Sequence, residues 1–148
     1  MTAKTVLGFD YGQKFIGVAV GSTHTGLAEP LATVSVGKGG PDWSHIGRLI
    51  GEWRPAALVV GLPLNMDGTV NAMTRAARRF GGDLEARYNL PVHWVDERLS
   101  TRDAKRVLYE AGIAGTRHKR HLDKLAAQTI LQAFLNDQAT ELDDRTGH

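Results

Sequence analysis

Thr5-Val6-Leu7-Gly8-Phe9-Asp10-Tyr11-Gly12-Gln13-Lys14-Phe15-Ile16-Gly17-Val18-Ala19-Val20 decides the fold. Residues 5–9 and 15–20 are short runs rich in β-branched and aromatic side chains. The Asp10-Tyr11-Gly12-Gln13 segment between them has turn composition, so the pair reads as a hairpin. Gly8, Gly12 and Gly17 bracket Asp10, and glycine inside strands marks close approach of a backbone or a ligand. An aspartate ending so apolar a strand is out of place on packing grounds, because aspartate is seldom buried without a partner.

Outward from the hairpin the elements alternate. Residues 30–36 form a third strand and Gly37-Lys38-Gly39-Gly40-Pro41 a loop. Asp42 caps a helix that places Trp43, Ile46, Leu49, Ile50 and Trp53 on one face and ends at Arg54-Pro55. Residues 56–62 are continuously apolar, the pattern of a strand covered on both sides. A helix with Met73, Ala76, Ala77, Phe80 and Leu84 on one stripe follows, then a fifth strand over 91–95. Ser100-Thr101-Arg102-Asp103 resembles a capping box opening a helix that stops at Gly112. A last helix carries Leu122, Leu125, Ala126, Ile130, Ala133 and Phe134 on one face. The expected fold class is α/β: a five-stranded mixed sheet, antiparallel first and joined by crossovers later, with helices on both faces.

The chain has 148 residues, 42% hydrophobic and 23% charged, the make-up of one globular domain. That domain is expected over residues 1–137, with an acidic, disordered tail over 138–148. No apolar run approaches the roughly 20 residues that span a bilayer, and no membrane partner is expected. There is no cysteine, so disulfides and thiolate chemistry are excluded. The net charge of +2 is unevenly spread. Residues 98–124 hold eight lysines and arginines against Asp103, Glu110 and Asp123. Such a patch either meets phosphates or is simply a solvated basic face.

Three acids carry the chemistry. Asp10 ends the first strand, Asp96-Glu97 ends the fifth, and Asp123 sits in the first turn of a packing helix. Parallel strands present their carboxyl ends at one edge, where such sheets bind ligands. If strands one and five share direction, Asp10 and Glu97 meet there, and a helix crossing the sheet brings Asp123. Carboxylates gathered in low dielectric stay ionised only around a cation. An all-oxygen donor set favours Mg²⁺ or Mn²⁺ over zinc, and two such ions can bind and hydrolyse a phosphodiester. Taken singly, each acid has a plainer reading: an Asx turn at Asp10, a surface ion pair of Glu97 with Arg98 or Arg102, a helix cap at Asp123. Gly61-Leu62-Pro63-Leu64-Asn65-Met66-Asp67-Gly68 empties a buried strand into a turn that either borders the site through Asn65 or only links strand to helix. His24, His45 and His93 lack ligand spacing. Trp43, Trp53 and Trp94 read as core.

Phe9-Asp10-Tyr11-Gly12-Gln13-Lys14 with Ile16–Val20, the Gly61–Gly68 loop, Asp96-Glu97-Arg98-Leu99-Ser100-Thr101, and Asp123 with Ala126-Ala127 and Ile130-Leu131 together resemble the YqgF/RuvX family. The resemblance spans residues 5–137 in order and spacing. It implies an RNase H-like fold and a cytoplasmic, metal-dependent endonuclease that processes the 5′ end of the 16S rRNA precursor. By similarity Asp10, Glu97 and Asp123 are the catalytic, metal-binding acids, and it is the resemblance that selects Glu97 over Asp96. Related resolvases carry an acid at the end of the fourth strand, where this chain has Gly61-Leu62-Pro63. Lys14, Asn65, Arg98, Arg102, Lys119 and Arg120 are the expected nucleic-acid contacts, and Mg²⁺ or Mn²⁺ the expected cofactor. Two other readings stay open: a resolvase of branched DNA, and an RNA-binding assembly factor with a silent site. The expected state is a monomer or homodimer.

Overall fold

A computed structural model describes residues 4–99 and 116–146. Six strands form one sheet in the order β4-β3-β2-β1-β5-β6. β1 (Thr5–Asp10) and β2 (Phe15–Ser22) make the expected hairpin, with Asp10 opposite Gly17. β3 (Ala28–Gly37) continues it antiparallel. The segment read as a loop instead contains a sixth strand, β4 (Gly40–Pro41), which pairs with Val36 and Gly37. Two residues of glycine and proline carry no strand pattern; the chain doubles back through Lys38-Gly39, and Gly40, at φ 101°, opens β4 in a conformation that glycine adopts freely.

α1 (Trp43–Trp53) starts at Asp42, whose carboxylate accepts the His45 N–H, and ends at Arg54 in the left-handed region, φ 45°, just before Pro55. β5 (Ala57–Leu62) then runs parallel to β1, α2 (Ala72–Tyr88) crosses back, and β6 (Val92–Asp96) runs parallel to β5. A single 3-10 turn, Glu97–Leu99, follows β6. The helix expected over 104–112 lies outside the described residues. α3 (Thr116–Thr146) is the last element, and it runs past Asp137 without a break.

Strand alternation sorts the interior into two layers. Leu7, Phe9, Ile16, Val18, Leu58 and Val60 face α1 and α2, meeting Ile46, Ala77, Phe80 and Leu84. Val6, Ala19 and Val59 face the other way, onto Ala127, Ile130, Leu131 and Leu135 of α3. Helices therefore cover both faces, as expected. Trp43 packs beside the first layer. Trp53 and Trp94 do not join the core, being 40% and 41% exposed. Trp53 is the last residue of α1, and Trp94, on the edge strand, lies across α2 where Gly81 leaves room for its ring.

α3 lies unusually close to the sheet because glycines pave its track. A Cβ on Gly8 would sit 2.8 Å from Leu131 Cβ, and one on Gly21 would sit 2.8 Å from Leu135 Cδ1. At Gly17 a Cβ would fall inside the space of the Asp123 carbonyl oxygen. Gln128 and Gln132 stitch the helix to the β2–β3 turn: Gln132 Oε1 accepts from Ala28 N–H, and the two amide groups donate to the Ala28 and Gly26 carbonyls.

Candidate active site

Residues 6, 8 and 10 of β1 point to the α3 side, so Asp10 emerges beneath that helix at the carboxyl end of the strand. It is 5% exposed, and with Thr74 it forms the buried polar set among the described residues. Asp10 pairs across the hairpin with Gly17, over which the Asp123 backbone passes. The steric vacancy of one glycine thus brings α3 down onto the end of β1 at Asp123, which is the eighth residue of that helix and not in its first turn as expected.

Glu97 arrives from the opposite flank. Trp94 on β6 touches α2, while the His93 ring meets that of Phe134 of α3 at a tilt, with centroids 5.0 Å apart. Alternation then puts Asp96 with Trp94 and directs the chain after Val95 toward the α3 face. Gly61 of β5 supplies the space: a Cβ there would stand 2.8 Å from Glu97 Oε1, 2.9 Å from Glu97 Cγ and 2.6 Å from Ile130 Cδ1. Glu97, at the end of the neighbouring strand, thus leans over the end of β5, which carries no acid of its own. Asp10, Glu97 and Asp123 accordingly line a single cleft of about 450 Å³, together with Tyr11, Lys14, Pro63 and Met73.

The same placement predicts the effect of Gly61→Ala. The atoms in its way belong to the side chains of Ile130 and Glu97 and not to backbone, so the fold should survive at a cost of about 1–3 kcal/mol. Glu97 should be pushed aside, and, on the nuclease reading proposed below, cleavage should fall at least about 10-fold, in the range seen when a group supporting a metal ligand is lost. Melting curves and cleavage rates on the same preparation separate the two effects.

The remaining predicted contacts fare differently. Lys14 is exposed at the cleft's lip. Asn65 is committed to the β5–α2 loop: its amide donates to Thr69 Oγ1 at 2.9 Å and its carbonyl accepts from Asn71 at 2.9 Å. Arg98 pairs with Asp96, not Glu97, at 2.6 Å. The guanidinium holds the Asp96 carboxyl below its usual range, and the carboxylate in turn raises Arg98. Hydrogen bonds from the Thr69 hydroxyl and amide likewise lower Asp67. Arg102 lies outside the described residues, as do the side chains of Lys119 and Arg120. Sequence reading missed Asn71 and Thr74, which form a reciprocal cap on α2 and also bind the Pro63 carbonyl, anchoring the loop beside the cleft. The signal was present as Asn-x-x-Thr ahead of an apolar stripe.

A divalent cation fits the chemistry of this cleft. All three acids offer oxygen, and one is almost fully buried at the meeting of strand ends. As the side chains stand, no group of three His, Cys, Asp or Glu among the described residues could hold a metal ion. The fit is therefore one of donor chemistry: oxygen ligands suit Mg²⁺, which keeps several waters and binds through one or two carboxylates.

The sequence profile of RuvX, described as Holliday junction resolvase, matches residues 4–137. The chain belongs to the RuvX family. Its relatives include a pre-16S rRNA nuclease by name from Nitrosococcus oceani, 50% identical over 93% of this chain and 90% of that one. Another so named, from Neisseria gonorrhoeae, is 47% identical over 93% and 91%. Among solved structures, Thermus thermophilus RuvC in complex with a Holliday junction substrate aligns with a TM-score of 0.51 at 18% identity, over 93% of this chain and 97% of that one. At such identity the likeness speaks for the fold, and the RNase H-like architecture of this RuvX protein agrees with it.

Proposed function

We propose that this RuvX protein is a metal-dependent phosphodiester endonuclease whose substrate is the 16S rRNA precursor, processed at its 5′ end. The observation that carries the reading is the convergence of Asp10, Glu97 and Asp123 on one cleft from three distant segments, in a family whose members are named pre-16S rRNA nucleases. These three acids would hold one or two Mg²⁺ or Mn²⁺ ions. Bound there, a divalent ion supplies positive charge against phosphoryl oxygens and lowers the pKa of water. Buried Asp10 sets the floor of the site, and Glu97 and Asp123 set its walls. Lys14 at the lip attracts the backbone phosphates and positions the strand without reading its sequence. Hydrolysis forms the bond from water oxygen to phosphorus, breaks the P–O3′ bond, and passes a proton to the departing 3′ oxygen.

No helix among the described residues is long and apolar enough to cross a membrane. The proposed setting is rRNA in the cytoplasm, and the proposed state a monomer or homodimer. The test is cleavage of a defined precursor rRNA fragment and of a four-way DNA junction, each with Mn²⁺ and with chelator. Metal-dependent cleavage of the precursor supports the proposal. Preference for the junction would make the protein a resolvase, and tight binding without cleavage of either would make it an assembly factor. RNA affinity should fall steeply with salt, log K declining linearly with log salt, because phosphate contacts release counterions. A flat salt response, measured by filter binding in chelator, would contradict the phosphate-tracking role of Lys14 and the basic segment.

A further inference from the structure

Arg98 follows Glu97 directly, and its guanidinium is already occupied. Nε donates to both Asp96 carboxylate oxygens at 3.1 and 3.0 Å, and Nη2 donates to Asp96 Oδ2 at 2.6 Å. The Arg98 backbone N–H also donates to Asp96 Oδ1 at 2.9 Å, closing an Asx turn around Glu97. The third arm, Nη1, reaches across to the Met66 carbonyl at 3.1 Å, thirty-two residues earlier in the chain. At Gly68, φ 87°, the loop tip lies against the guanidinium; a Cβ there would be 3.2 Å from Nη1.

That tip is braced from within. Asp67 Oδ1 accepts from the Thr69 N–H at 3.0 Å and the Thr69 hydroxyl at 2.6 Å. The Asn65 carbonyl accepts the Gly68 N–H, and the Asn65 N–H donates to the Thr69 carbonyl. A rigid loop tip and the turn bearing Glu97 are thus joined through one planar fork. Glu97 is the residue enclosed by the Asx turn, so whatever fixes Asp96 against Arg98 also fixes the backbone from which the Glu97 carboxylate reaches over Gly61.

We propose that Arg98 is a positioning residue: it locks the Met66–Gly68 loop tip to the Glu97 turn and so holds the Glu97 carboxylate at the wall of the cleft. Geometry and not charge is what the site asks of it. A bidentate carboxylate contact combined with a carbonyl contact at a fixed angle needs the guanidinium plane, which an ammonium cannot reproduce. The proposal rests on the nuclease reading for its activity measurement, but not for its structural one.

The test compares wild type, Arg98→Ala and Arg98→Lys by amide exchange, by calorimetric titration of Mn²⁺ into chelator-stripped protein, by RNA binding in chelator across a salt series, and by cleavage kinetics. Amide exchange at Gly68 and Thr69 should speed up at least about 10-fold in both variants as the tip is released. Mn²⁺ affinity should weaken about 10–100-fold in both, as when the group orienting a metal ligand is removed. The cleavage kcat should fall with KM little changed, and the salt slope should keep its wild-type value. The opposite pattern overturns the proposal: unchanged exchange and Mn²⁺ affinity, a salt slope reduced by about one in Arg98→Ala, and restoration by lysine describe a phosphate-binding side chain. Should the wild type cleave neither substrate, the nuclease reading fails, and the latch is still decided by amide exchange at the loop tip.

Discussion

Asp10→Asn should abolish cleavage while leaving the protein folded and able to bind RNA. The substitution preserves shape and removes one negative charge from a side chain that is 5% exposed beneath α3. Asp10, Glu97 and Asp123 line the same cleft, and like charges gathered in a partly desolvated site repel one another. The diagnostic readout is therefore the response of each melting temperature to Mn²⁺. An ion that binds only the folded state stabilises it, by about 2.7 kcal/mol at a hundred times its dissociation constant, and the wild type alone should show that gain. The cleavage rate should drop about 1,000-fold or more, the scale on which removal of an essential active-site group is felt. RNA binding in chelator should be unaffected or slightly tighter, since the phosphates then meet one carboxylate fewer. Undiminished cleavage by Asp10→Asn, or an equal Mn²⁺-induced rise in both melting temperatures, would remove Asp10 from the site.

The residues that placed Asp10 were legible because they obey local rules. A period of two around Gly8, Phe9 and Asp10, and a continuous apolar run ending at Leu62, specify a hairpin and a buried strand whatever surrounds them. The glycines beside Asp10 announced a close approach, and Gly8 and Gly17 do lie under α3. What local rules could not supply is which face meets which helix. Asp96 and Glu97 point oppositely, and the choice between them depends on Trp94 meeting α2 while His93 meets Phe134 of α3. The same gap explains Arg98. Charge and position suggested a phosphate contact; the Met66 carbonyl that also engages its guanidinium is set by the course of a loop. Trp53 failed as a core residue for a related reason: helical periodicity gives the face, but not how far the helix end overhangs the sheet.

Gly17→Ala should be among the most damaging single substitutions in the chain, although it adds one methyl group. Alanine in place of glycine ordinarily strengthens a strand or helix by reducing the freedom of the unfolded chain, by about 0.4–1 kcal/mol. Gly82 in α2 is such a case: nothing lies within 4 Å of a Cβ built there. Gly82→Ala should therefore be neutral or stabilising. At Gly17 the atoms that a Cβ would displace are backbone, the carbonyl group of Asp123, with Lys124 N only 3.1 Å away. Backbone within a helix cannot rotate aside as a side chain can, so relief requires lifting α3 from β2 around Asp123. Overpacking of this kind costs about 1–3 kcal/mol where neighbours can adjust, and the upper end or beyond applies where they cannot. For a domain of this size about 3 kcal/mol corresponds to roughly 10 °C in melting temperature. Because the displaced segment carries Asp123, the surviving folded molecules should also bind Mn²⁺ more weakly, coupling a packing defect to a loss of chemistry. Thermal melts of Gly17→Ala and Gly82→Ala against wild type measure the contrast. A Gly17→Ala protein melting within about 2 °C of wild type, less than the shift a single kilocalorie produces, would mean that α3 does not rest on β2 at Gly17, and the route by which Asp123 reaches the cleft would have to be redrawn.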